Sequence, residues 1–146
     1  MCSFLDYPNR YAITYPRSVF EQLPSRLRFP VYSMSYSSSQ SIHEAIKAQL
    51  YVMGFALHYQ PILEATIGLP ARGGRIDCVF LDRGEAVCGF EVDSADRKKS
   101  IDKLCALPRD AEKIIISFGS ADSWLSTLAA VANNDVKVFR LCANNK

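Results

Sequence analysis

Three carboxylates stand close together around one short loop of the chain: Asp77 before it, and Glu91 and Asp93 after it. Each lies in an apolar run, Ile76-Asp77-Cys78-Val79-Phe80 and Gly89-Phe90-Glu91-Val92-Asp93, of the kind that forms buried strands. A three-residue loop centred on Gly84 would fold these runs into a hairpin with Asp77 directly across from Glu91, and side-chain alternation would put Asp93 on the same face as Glu91. Opposed like charges destabilise a sheet; at about 5 Å and an effective dielectric near 20 the pair repels by roughly 3 kcal/mol before screening. A divalent cation would offset that directly, because Mg²⁺ takes oxygen ligands, commonly one or two carboxylates completed by water and phosphate. Arg75 or a helix lysine would offset it without a metal.

The elements that must position these acids can be read from local pattern. Ser41-Ile42-His43-Glu44 has the form of a capping box, so a helix is expected from Ser41 to about Met53, with Ile42, Ala45, Ile46, Leu50 and Met53 on its buried stripe and Gly54 as its stop. Residues 55–67 suggest an edge strand broken or bulged at Pro61, and 68–74 a loop. Arg75–Leu81 and Ala86–Asp93 are the hairpin strands. Ser94 is placed to cap a following helix that carries Ile101, Leu104 and Cys105 inward and ends at Pro108. Lys113–Phe118 is a continuous apolar run expected in the sheet centre, parallel to the strand before the crossover helix. A helix over 120–133 with Trp124 in the core and a strand over 136–141 complete an α/β order of αβββαβαβ, a mixed central sheet flanked by helices.

Residues 1–40, rich in proline, tyrosine and serine and without a sustained period, read as an irregular arm packed on the same domain, with a short helix over Ser18–Leu23; residues 41–146 form the α/β domain proper. The length of 146 residues suits one domain. The five scattered cysteines, set mostly in apolar runs and without a C-x-x-C pair, suggest reduced core thiols rather than zinc. No run of about 18 apolar residues is present to span a membrane, and Asp6, Pro8 and Arg10 interrupt the stretch where a secretory signal would need to be apolar, so a cytoplasmic location is expected. A formal charge of +2 excludes a bulk DNA-coating protein, and any nucleic-acid contact must be local.

Gly74-Arg75-Ile76-Asp77, followed by a hairpin to Phe90-Glu91-Val92-Asp93 and then a helix, resembles the core of the PD-(D/E)XK nuclease superfamily, over residues 41–118. The resemblance implies a restriction-endonuclease-like fold and a Mg²⁺- or Mn²⁺-dependent endonuclease acting on DNA. It matches Asp77 to the first motif acid, Glu91 to the second, and Glu44 to the acid many members carry on the first helix. Metal would then be held by Asp77, Glu91 and the Val92 carbonyl. The motif lysine is replaced here by Asp93. Some members move that lysine to the next helix, where Arg97 and Lys98 are the candidates; Lys98 is preferred, with Lys99 and Lys103 assigned to the wetter face. Asp93 or Lys98 would orient the attacking water. Arg72, Arg75, Arg97 and Lys98 flank the acids and suit phosphate contacts. His43 and His58, without an evident partner, read as surface or packing residues. The alternative is a nuclease-fold module that has lost catalysis and serves nucleic-acid binding or assembly, as a homodimer or within a larger complex.

Overall fold

The computed structural model describes residues 18–30, 38–66, 74–94, 98–119 and 135–141. Three helices and five strands lie within them: α1 (Val19–Arg26), α2 (Ser39–Ala56), β1 (Gln60–Ala65), β2 (Ile76–Asp82), β3 (Glu85–Asp93), α3 (Lys98–Leu104), β4 (Glu112–Ser117) and β5 (Val136–Arg140). The expected helix over 120–133 with Trp124, most of the N-terminal arm, the 68–73 part of the loop, and Arg72 and Arg97 fall outside the described residues.

Both ends of α2 differ from expectation. Its cap is Ser38, whose hydroxyl accepts from the Ser41 N–H at 3.1 Å, so Ser41 sits inside the first turn and Glu44 is not a capping-box partner. Gly54 does not stop the helix but lies within it, and the chain turns only at Leu57 and at His58, whose φ is 66°. The glycine serves close approach: a Cβ there would lie 2.8 Å from Pro61 Cβ and 2.9 Å from an edge carbon of Phe80. Its absence lets α2 settle onto β1 and β2.

The sheet order is β1-β2-β3-β4-β5. β1, β2 and β3 form an antiparallel meander, and β4 and β5 add in parallel. Pro61 pairs in register with Phe80, which an edge strand tolerates because one side of it has no ladder to lose. The irregular residue of β1 is instead Glu64, held at φ 53°. β4 lies between β3 and β5, one place from the centre that β3 occupies. Its three isoleucines reach both faces. Ile114 and Ile116 join Phe80, Phe90, Leu23, Ile46 and Leu50 in one core, while Ile115 joins Val79, Ile101, Leu104 and Leu107 in the other.

The hairpin reaches the expected register by a different route. Its turn has two residues, Arg83 at φ 53° and Gly84 at φ 83°, the paired positive angles that match strand twist. That turn pairs Asp82 with Glu85 and Leu81 with Ala86. A bulge between Phe80 and Leu81 then shifts the register, so that Phe80 pairs with Cys88 and Cys78 with Phe90. The next position along is Asp77 against Glu91.

Cys78 and Cys88 are buried thiols, and burial pushes Cys78 up to about 12, so they act as apolar filling; Cys105, expected on the buried stripe of the crossover helix, is exposed, because that helix ends at Leu104, short of Pro108. Among the described residues no helix is long and apolar enough to cross a membrane.

Candidate acidic site

The regular β2–β3 ladder ends at Cys78 and Phe90, and beyond it side chains take over the pairing. The Asp77 N–H donates to Glu91 Oε2 at 3.1 Å, and the Val92 N–H donates to Asp77 Oδ2 at 2.7 Å. Each acid thus satisfies a backbone donor of the opposite strand. The exchange holds the two carboxyls next to each other at the end of the ladder. Glu91 is only 1% exposed and the Asp77 side chain 13%.

Two helices bring basic side chains to this pair from different sides. From α2, His43 Nε2 lies 3.3 Å from Asp77 Oδ2, and its Nδ1 lies 3.5 Å from Glu44 Oε1. One turn later Lys47, 5% exposed, pairs with Glu64 and lies 3.5 Å from Glu44. From α3, Lys103 pairs with Glu91 Oε1 and donates to the Arg75 carbonyl at 2.9 Å. Since Leu63 pairs with Cys78 and Ala65 with Ile76, Glu64 falls opposite Asp77. Glu64, Asp77 and Glu91 therefore form one row across three neighbouring strands.

The two central carboxyls divide their ionisation unequally. Burial pushes Glu91 up, and the hydrogen bond to Asp77 and the charge of Asp77 push it further, to about 8, against the pull of Lys103. Burial also raises Asp77, but hydrogen bonds from His43, Glu91 and the Val92 N–H outweigh it and hold the carboxyl below its usual range. Near neutrality the pair therefore favours a charged Asp77 beside a protonated Glu91. The Asp77 hydrogen bond also raises His43, over the opposing effect of burial.

Asp93 shares the α3 side with Glu91, as strand alternation requires, but is engaged elsewhere: it is buried and accepts a hydrogen bond from Ser100 Oγ. Lys98, expected at the acids, is exposed in the first turn of α3. The phase of α3 explains the difference. Ser100, Ile101 and Leu104 are its buried residues, so Lys103 lies on the sheet side and reaches Glu91 with its long stem, the reverse of its expected place. Arg75 is exposed and meets the site through its main chain. Glu44 is about half exposed and reaches His43 and Lys47, not the central pair.

His43, Lys47, Glu64 and Lys103 are the site residues that sequence reasoning did not place there. The available signal was modest: His43 and Lys47 share a helical face at a spacing of four. A cleft of about 180 Å³ is lined by Ser39, Gln40, His43, Val92, Asp93, Ser94 and Phe118, and so meets the site at His43 and Val92 but not at Asp77 or Glu91. Among the described residues no three His, Cys, Asp or Glu side chains are grouped as a metal cage. No protein-family model matches the chain, and neither a curated protein nor a solved structure does.

Proposed function

We propose that the chain is a Mg²⁺-dependent DNA endonuclease of the PD-(D/E)XK kind, hydrolysing phosphodiester bonds at the Asp77–Glu91 pair. The observation that carries this reading is a buried Glu91 and a part-buried Asp77, on adjacent strands, each accepting a backbone N–H from the other strand at the open end of a hairpin. Burial disfavours the ionised form of both carboxyls, and a cation held between them would offset that cost. A meander followed by a crossover helix and a parallel strand supports the same reading.

The donor set suits a hard cation that keeps part of its water shell. Mg²⁺ is commonly held by one or two carboxylates, with water and substrate phosphate completing the octahedron, so the lack of a third acid is no obstacle. Asp77 and Glu91 would hold it, with the Val92 carbonyl as a further oxygen. When bound, it would supply Lewis-acid activation of a phosphate oxygen and of water. Glu91 must lose its proton on loading, which the shift toward 8 makes pH-dependent. Lys103, tethered to the Arg75 carbonyl, stands where an ammonium can meet phosphate beside Glu91 and takes the role that Lys98 was expected to fill. Exposed Lys98, and Arg75 at the start of the hairpin, remain suited to backbone phosphates on either side.

One observation favours a second reading. Asp93, at the position of the motif lysine, is tied to Ser100 and has an organising role in the α3 contact. A nuclease fold kept for binding or assembly would tolerate that exchange. The two readings separate in a cleavage assay with plasmid and branched DNA in Mg²⁺ or Mn²⁺. Under the first, wild type cuts and Asp77→Asn and Glu91→Gln each lose at least about a hundredfold, of the order reported for single catalytic electrostatic groups. Metal-independent binding of DNA with no cleavage by any form selects the second.

A further inference from the structure

We infer that His43 is a positioning residue for metal binding at Asp77, acting through the carboxylate and not on substrate; this rests on the function proposed above. Asp77 Oδ2 is the atom on which two donors converge, the Val92 N–H at 2.7 Å and His43 Nε2 at 3.3 Å. With Oδ2 occupied by both, Oδ1 is the oxygen left to face a cation. The histidine is itself oriented. Nε2 faces a carboxylate oxygen, which accepts and cannot donate while Asp77 is ionised, so Nε2 is the donor of this contact. Glu44, 3.5 Å from Nδ1 and held by Lys47, faces the other side of the ring.

The backbone donor alone would fix Asp77 at one point and leave the plane of its carboxylate free to turn. A second donor from α2, an element that also carries Ile46 and Leu50 into the core, ties the carboxylate's orientation to the packing of the whole helix. Hydrogen bonds to ligating carboxylates have this effect generally, and removing one typically costs 10- to 100-fold in metal affinity or activity.

Glutamine and asparagine separate this role from mere polarity at the position. A glutamine amide nitrogen reaches roughly where Nε2 stands, whereas asparagine is too short. Mn²⁺ is titrated, without DNA, into the full chain carrying His43→Gln, His43→Asn or Asp77→Asn, with the paramagnetic resonance signal of the unbound ion as readout and thermal unfolding recorded in parallel. His43→Asn should weaken Mn²⁺ binding roughly 10- to 100-fold, and His43→Gln should recover most of it, with unfolding temperatures alike. If Asp77→Asn abolishes binding while both histidine variants bind as wild type does, the role of His43 is overturned and the metal site stands. If the two histidine variants lose affinity equally, positioning by Nε2 is overturned as well. If wild type takes up no Mn²⁺, the metal site itself falls, and this inference with it.

Discussion

Glu91 is the residue whose ionisation the fold resists most, and it makes the acidic pair visible in bulk stability. Its carboxyl titrates near 4.5 when unfolded and near 8 when folded. The folded state therefore binds more protons across that window, and the stabilisation it brings is complete below pH 4.5 and lost as pH rises through 8. In EDTA, the free energy of unfolding should fall by on the order of a few kcal/mol between pH 5 and 9, read as a falling thermal unfolding temperature. Glu91→Gln should flatten that slope, because the amide carries no proton to lose; an unchanged slope would place the titration elsewhere. Asp77 acts oppositely: its depressed pKa gives stability that is present above pH 3.8 and fades only in stronger acid, outside the tested range. The register of Asp77 against Glu91 could be anticipated from a short loop; the expected common face could not hold, because Ile76 joins Val79 in the α3-side core and Asp77 then meets His43 of α2 while Glu91 meets Lys103 of α3. Which basic side chains answer them could not, because His43 and Lys103 lie on helices whose rotation no local pattern defines.

At the scale of elements, the hairpin and α2 show two ways a sequence signal can be read correctly and misassigned. Gly84 marks the turn, but the turn is of two residues with a bulge downstream in place of a three-residue loop, and both arrangements deliver Asp77 to Glu91. A Cβ at Gly84 would meet nothing within 4 Å, so Gly84→Ala isolates the backbone cost of a positive φ. That change should destabilise by roughly 1–2 kcal/mol, measured by urea unfolding. Gly54 reads as a helix stop and acts as a packing notch. Its carbon neighbours on Pro61 and Phe80 were invisible along the chain, since they belong to strands that meet α2 only after folding. The capping signal at Ser41 was displaced by one turn for a related reason: three serines in a row offer several caps, and Ser38 takes the role.

Taken whole, the molecule carries little net charge, +2, so DNA affinity on the proposed reading must come from a few local contacts. Four basic residues, Arg72, Arg75, Arg97 and Lys98, are the sequence-level candidates. Each phosphate neutralised contributes about −0.9 to the slope of log affinity against log salt on duplex DNA, so four predict a slope of roughly −3 to −4. Binding measured between 50 and 200 mM salt checks this, and a slope near zero would remove phosphate contacts from the account. A second joint holds the molecule together: Glu112 at the start of β4 accepts from Ser18 Oγ and from the N–H groups of Val19 and Phe20, at 2.7 to 3.2 Å, and so anchors the start of α1 to the sheet. A carboxylate at a helix start is favoured by both the unsatisfied N–H groups and the dipole.

By itself, the amino-acid order determined the helix and strands found between Ser39 and Ser117, the β2–β3 hairpin with its crossover to a parallel strand, and the register that sets Asp77 against Glu91. These follow from periods, turns and apolar runs only a few residues long, and local sterics decide such features before any packing occurs. Only the tertiary structure decided that Lys103 faces Glu91 while Lys98 faces solvent, that His43 and Lys47 close the other side, and that Asp93 belongs to Ser100. Those assignments depend on how far each helix is rotated against the sheet. That rotation is set by the fit of Ile46, Leu50, Ile101 and Leu104 into two cores assembled from distant parts of the chain.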